Sequence, residues 1–222
     1  MSSAPAVLFD IDGTLVDSNY LHVFAWQQAF DDIGVEVEAW RIHRSIGMDG
    51  TELLRSLCPG LDDLEAAKKA HSEHYRALSP LLRALPGALD LLDTVADAGL
   101  QVVLATSAPE DELASLRDVL DRDDIVSAVT SSEDVDTAKP QPDIVAVALD
   151  RAGVPADRAV FVGDAVWDVR AARRAGVPTV GLRSGGSGRA ELESEGAAAV
   201  YDNPADLLAH LHASPVGALA AH

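Results

Sequence analysis

Beyond Pro86 the chain alternates short apolar runs with helical segments, and this alternation restricts the fold more than any other feature. The runs are residues 101–105, 125–130, 159–162, 178–182 and 198–201. Each is too short for a stable helix and is bounded by Gly, Pro or polar residues, so each reads as a buried strand. Residues 88–98, 109–120, 140–152, 166–175, 188–195 and 204–211 carry helical spacing between and after them. Gly99, Gly153 and Gly176 stand where three of these helices stop, and Pro109 suits a first turn. Strands separated by helices require right-handed crossovers, which predicts a parallel sheet covered on both faces.

One strand stands apart from the rest. Residues 6–9 (AVLF) form an apolar run ending at Asp10, and no convincing strand lies between Val16 and Arg83. That interval carries helical patterns over residues 20–32, 51–57 and 62–78 instead. The expected fold class is therefore α/β. A Rossmann-like parallel core is built from residues 1–18 and 84–222, and an all-helical cap subdomain, residues 19–83, is inserted into it. Residues 213–222 read as a loose tail.

Charge and composition exclude several functions. The 222 residues contain 36 Asp and Glu against 17 Lys and Arg, a net charge of -19. Nucleic acid and anionic membranes are disfavoured, because both require a cationic surface. A small anionic substrate needs a local source of positive potential. Cys58 is the only cysteine, so no intrachain disulfide is expected; it reads as a small apolar residue in a reducing compartment. The N-terminus lacks a basic segment leading into a long apolar stretch, and no run reaches the ~18 apolar residues of a membrane span. The expected location is cytoplasmic.

Ligands of open α/β sheets bind at the carboxyl ends of the strands. The residues just beyond each run are therefore the candidates. Asp10, Asp12, Gly13 and Thr14 follow the first, and Thr106 and Ser107 the second. Glu133, Asp134 and Lys139 follow the third, and Asp164 and Asp168 the fourth. Four aspartates at one sheet edge would repel each other. A hard divalent cation such as Mg²⁺ relieves that repulsion, and with Lys139 it gives an acidic protein a local field suited to a phosphorylated substrate.

The segments DIDGTLVDS (residues 10–18), LATSA (104–108), AKPQPD (138–143) and VGDAVWD (162–168) resemble the four motifs of the haloacid-dehalogenase superfamily, in that family's order. The insertion after the first motif resembles its small helical cap. The resemblance implies a Mg²⁺-dependent phosphatase. Asp12 stands where the dehalogenase branch has no acid, so the phosphoryl-transfer branch is implied. By the same resemblance Asp10 is the nucleophile and Asp12 the general acid and base. Thr106 holds a phosphoryl oxygen, and Lys139 offsets charge. Asp10, Asp12 (through its carbonyl), Asp164 and Asp168 hold the metal.

Further residues are expected near the substrate. Ser18, His22 and Trp26 share a helix face beside the cap hinge, in a stretch resembling β-phosphoglucomutases and related sugar-phosphate phosphatases. Ser18 and His22 are substrate candidates, His22 alternatively forming a hinge hydrogen bond, whereas Trp26 reads as core. Gly47 suggests a cap loop approaching the site, and Ser107 and Ala108 line the strand end. Arg41, His43 and Arg44 form a basic cluster, of which Arg44 is the candidate for the substrate's anionic part. His71 and His74 read as surface residues. The expected partner is a small phosphorylated metabolite, phosphoglycolate or a sugar phosphate, bound by a monomer or homodimer. A phosphomutase and a non-catalytic binding protein share the same motifs and are the alternatives.

Overall fold

The structure is a computed structural model that describes residues 3–134, 139 and 141–220. Its strands are β1 (Ala6–Phe9), β2 (Gln101–Ala105), β3 (Val126–Thr130), β4 (Ala159–Gly163), β5 (Thr179–Leu182) and β6 (Ala199–Tyr201). They form one parallel sheet in the order β3-β2-β1-β4-β5-β6, as the alternation predicts. Phe9 lies level with Leu104 on one side and Val162 on the other. The chain leaves β1 in one direction and returns to its other side at β4. The ends of β1 and β4 thus form the switch point at which such sheets bind ligands.

The helices follow in chain order: α1 (Asn19–Asp32), α2 (Ala39–Ser45), α3 (Gly50–Leu57), α4 (Leu64–Leu78), α5 (Ala88–Asp97), α6 (Glu110–Leu120), α7 (Asp143–Ala152), α8 (Val166–Arg174), α9 (Arg189–Glu195), α10 (Pro204–Ala209) and α11 (Pro215–Ala220). The two-residue period of the strands sorts the core into two layers. Val7, Phe9, Val102, Leu104, Val160 and Val162 face α5, α6, α10 and α11. Leu8, Val103, Ala105 and Phe161 face α7 and α8. Both sheet faces are buried, which is why the strands read as continuous apolar runs rather than alternating ones. α1 to α4 gather an apolar cluster around Val23, Trp26, Phe30, Ile42, Leu53 and Leu54.

Two helices differ from the sequence reading. α2 carried no clear signal, because only Ile42 and Ser45 of its residues are buried while Trp40 is exposed. The expected loose tail instead forms α11. Val216 enters the core beside the sheet, and the buried Ser214 Oγ donates to the Leu211 carbonyl at 2.7 Å. Small residues (PVGALA) hid this helix from a periodicity reading. Val216→Ser is expected to lower stability by ~2 kcal/mol, the cost of removing a buried valine side chain from its apolar site. A chemical denaturation midpoint unchanged by the substitution would show that the tail does not dock.

Candidate active site

The chain curls as it leaves β1. The Leu15 and Val16 amides both donate to the Ile11 carbonyl, and the Gly13 amide donates to the Val16 carbonyl at 2.8 Å. Gly13 adopts φ 73°, a left-handed conformation open to glycine at little cost. The curl presents Asp10 and Asp12 to different surroundings. Asp10 Oδ1 accepts from Lys139 Nζ at 2.5 Å, and Thr14 Oγ1 lies 3.4 Å from its Oδ2. Asp12 Oδ1 accepts from Ser18 Oγ at 2.6 Å and lies 3.2 Å from His22 Nε2.

These surroundings push the two carboxyl groups apart. Burial raises the pKa of Asp10 to about 7 against the pull of Lys139, with Asp168 and Asp12 adding to the rise. Burial also disfavours an ionised Asp12, but the hydrogen bonds from His22 and Ser18 outweigh it and hold the group below its ordinary value. The same pairing raises His22 despite its burial.

Asp164 follows β4 and faces Asp10. Its Oδ1 accepts from Thr14 Oγ1 at 3.0 Å and its Oδ2 from Asn19 Nδ2 at 2.9 Å. Asp168 lies one turn into α8. Its Oδ2 accepts from the Ala165 amide at 3.0 Å, and its Oδ1 lies 2.7 Å from Lys139 Nζ. Ligand oxygens of Asp10, Asp164 and Asp168 fall within 4.8 Å of one another. Lys139, 1% exposed, bridges Asp10 and Asp168 but forms no ion pair with Asp164, itself 3% exposed. Burial, then repulsion from Asp168 and Asp10, therefore lifts the Asp164 carboxyl well above its usual range. Asn19 Oδ1 is buried in the same place with no hydrogen-bond partner among the described residues. Excess oxygen ligands and unbalanced negative charge are the conditions a small hard cation satisfies.

A cavity of about 360 Å³ opens above these groups, between the sheet edge and α1 to α4. A search against protein families matches residues 7–182 to the haloacid dehalogenase-like hydrolases. The chain belongs to this family. It is 36% identical to the phosphoglycolate phosphatase of Rhodospirillum rubrum, over 91% of this chain and 88% of the relative. It is 31% identical to the phosphorylated carbohydrates phosphatase of Thermotoga maritima, over 88% and 93%. Among solved structures, a hydrolase from Pseudomonas syringae superposes with a TM-score of 0.90 at 39% identity, covering 94% of this chain and 98% of that one.

As a haloacid dehalogenase-like hydrolase the chain places most of its predicted site residues together. Asp10, Asp12, Thr106, Lys139, His22, Gly47, Ser107 and Ala108 all line the cavity. Thr106 Oγ1 accepts from the Ala108 amide at 3.0 Å. Ala138 and Pro140 of the third motif lie outside the described residues.

Other placements differ from expectation. Ser18 is the N-cap of α1 but does not cap it; its hydroxyl is turned to Asp12, and it does not line the cavity. Arg44 pairs with Glu191 at 2.7 Å, away from the cavity, because α2 packs over the loop after β5. The Asp12 carboxylate faces His22 and stands outside the acidic cluster. Trp26 is buried as predicted and also lines the cavity. His71 is buried rather than at the surface, with Nε2 3.2 Å from His22 Nδ1 and its ring stacked on Trp26.

Asn19, Gly185 and Glu112 escaped the sequence reading. The Gly185 carbonyl accepts from Asn19 Nδ2 at 3.2 Å and from His43 Nε2 at 2.9 Å. A Cβ at Gly185 would overlap the Asp164 carboxylate and crowd Asn19 Nδ2. Gly185→Ala is expected to weaken Mg²⁺ affinity roughly 10- to 100-fold, the usual effect of disturbing residues that support a metal ligand. Titration calorimetry with Mg²⁺ alone measures it, and an unchanged affinity would remove Asp164 from the metal site.

Proposed function

We propose that the chain is a divalent-metal-dependent phosphatase that cleaves a small phosphomonoester through a phosphorylated Asp10. The observation carrying this reading is the convergence of Asp10, Asp12, Lys139 and Asp164 at the β1–β4 switch point, under a cavity roofed by helices. Asp10 and Asp164, the Asp12 carbonyl and Asp168 behind them would hold Mg²⁺. When bound, the ion supplies positive charge to the transferring phosphoryl group.

The protein's own residues supply the rest. One Asp10 oxygen attacks phosphorus. As the O–P bond forms, the ester P–O bond breaks on the opposite side and the departing alkoxide takes, through Asp12, the proton held by the hydrogen-bonded Asp12–His22 pair. Asp12 Oδ2 accepts no side-chain hydrogen bond from the described residues, so it is the oxygen left to face the alcohol. Water then attacks phosphorus, gives its proton back to Asp12, and frees Asp10 as phosphate leaves. Lys139 Nζ balances the charge on Asp10 through both halves. The Thr106 hydroxyl accepts from Ala108, so its own hydrogen is available for a phosphoryl oxygen. Phosphoryl transfer relies mainly on positioning and charge stabilisation, and this set provides both.

The test is phosphate release from a panel of phosphomonoesters with Mg²⁺ and with excess chelator. Release that stops with chelator and returns with Mg²⁺ is expected. Release indifferent to the chelator would sink the mechanism.

A further inference from the structure

We infer that His71 and Glu112 are positioning residues for the proton transfer: Glu112 orients His71, and His71 holds His22 in the doubly protonated form that donates to Asp12. This rests on the phosphatase reading above and deepens it. Four side chains stand in line, and His22, His71 and Glu112 among them are buried. Asp12 Oδ1 lies 3.2 Å from His22 Nε2, His22 Nδ1 lies 3.2 Å from His71 Nε2, and His71 Nδ1 lies 3.7 Å from Glu112 Oε1. The line crosses three helices, with His22 on α1, His71 on α4 and Glu112 on α6. Ser72 Oγ donates to Glu112 Oε1 at 3.2 Å and steadies the far end. Stacking fixes both imidazoles: His22 lies on Tyr75 with ring centroids 4.0 Å apart, and His71 on Trp26 at 4.2 Å.

The ends of the line dictate where its hydrogens sit. Each end is a carboxylate, which accepts and does not donate. His22 Nε2 therefore carries a hydrogen toward Asp12, and His71 Nδ1 carries one toward Glu112. Between the rings one nitrogen must donate and the other accept, because two hydrogens would clash and two lone pairs would repel. Three hydrogens on two rings make one imidazolium. Burial, then His22 and His74, hold His71 well below its usual pKa, so His71 is the neutral ring and His22 carries the charge. That charge also serves Glu112, whose carboxyl burial raises and His22 pulls back down. In the first half-reaction one proton leaves the Asp12–His22 pair for the alkoxide, and in the second the attacking water restores it. His71 and Glu112 exchange no proton; they keep His22 loaded. Without the Glu112 carboxylate, His71 is free to carry its hydrogen on Nε2, and His22 Nδ1 must then accept instead of donate.

The experiment takes two readouts on the wild type, Glu112→Gln, His71→Leu and His71→Gln, with Mg²⁺. The first is ¹⁵N NMR of histidine-labelled protein at neutral pH. The wild type is expected to show His22 as an imidazolium and His71 as the Nδ1–H tautomer, and Glu112→Gln is expected to lose both signatures. A wild-type His71 in the Nε2–H tautomer would overturn the inference. The second is the ratio of kcat/KM for the alkyl phosphomonoester cleaved fastest to that for p-nitrophenyl phosphate, whose leaving group departs without a proton. The ratio is expected to fall roughly 10- to 100-fold in Glu112→Gln and His71→Leu, a part of what a general acid contributes. It should recover in His71→Gln, whose side-chain oxygen can accept from His22. Each ratio is internal to one preparation, so partial misfolding cancels. A ratio unmoved in both variants, including a loss shared equally by the two esters, would overturn the inference. So would a wild type that cleaves p-nitrophenyl phosphate and no alkyl ester. Each of these results leaves the phosphatase reading standing, whereas no hydrolysis of any ester by the wild type would overturn both.

Discussion

Asp10→Asn is expected to abolish phosphate release, lowering kcat by roughly 10⁴-fold or more, the scale seen when a catalytic nucleophile is removed. The amide has nearly the shape of the carboxylate but cannot form an acyl phosphate. The loss therefore belongs to chemistry and not to the fold. The substitution leaves Lys139 paired with Asp168, whose Oδ1 lies 2.7 Å from Nζ, so the ammonium is not stranded. Thermal stability should change little. The decisive measurement is steady-state phosphate release together with acid-quench trapping of phosphorylated protein. The wild type should yield a phosphorylated species and the variant none. Retention of about a tenth of the wild-type rate would remove Asp10 from the nucleophile's role.

Lys139→Met is expected to cost both activity and stability. Lys139 is 1% exposed and lies between Asp10 and Asp168, and its own pKa is pushed up by those carboxylates despite its burial. Removing it leaves the buried Asp10 and Asp168 without an ammonium partner, beside an Asp164 that has none to begin with. Breaking a buried ion pair from one side costs about 3–5 kcal/mol. For a domain of this size that corresponds to a Tm roughly 6–20 °C lower in chelator. Added Mg²⁺ should recover more of the Tm in the variant than in the wild type, because the ion then carries the charge balance alone. A variant melting as the wild type does in chelator would show that the acids are compensated in another way.

What the sequence revealed, and what it hid, follow from distance along the chain. Asp10, Asp12, Thr106 and Asp164 sit directly beyond strands, and the strands are short apolar runs with plain boundaries. Placing the runs in a parallel sheet places those residues at one edge. The switch point adds the rest, because β1 and β4 are neighbours in space. His71 and Glu112 gave no such signal. They meet because α4 lies against the start of α6, a matter of how the inserted helices settle on the sheet. Arg44 was legible as a cation, but its partner Glu191 is far along the chain and only packing brings them together. Ser18 occupied a helix start and read as part of a substrate face, yet its hydroxyl serves Asp12 instead of the helix. The tail failed for a different reason: a helix of small residues with one buried valine leaves almost no periodic trace.

The carbonyl of Gly185 joins two parts of the molecule that otherwise have separate duties. It holds His43 of α2, and it also holds the Asn19 amide that orients Asp164. His43 in turn stacks on Tyr20, the residue after Asn19, with ring centroids 5.0 Å apart. The position of the helical roof and the readiness of the acidic cluster to take a cation therefore draw on one shared acceptor. A displacement of that one carbonyl is therefore felt at α2 and at Asp164 together.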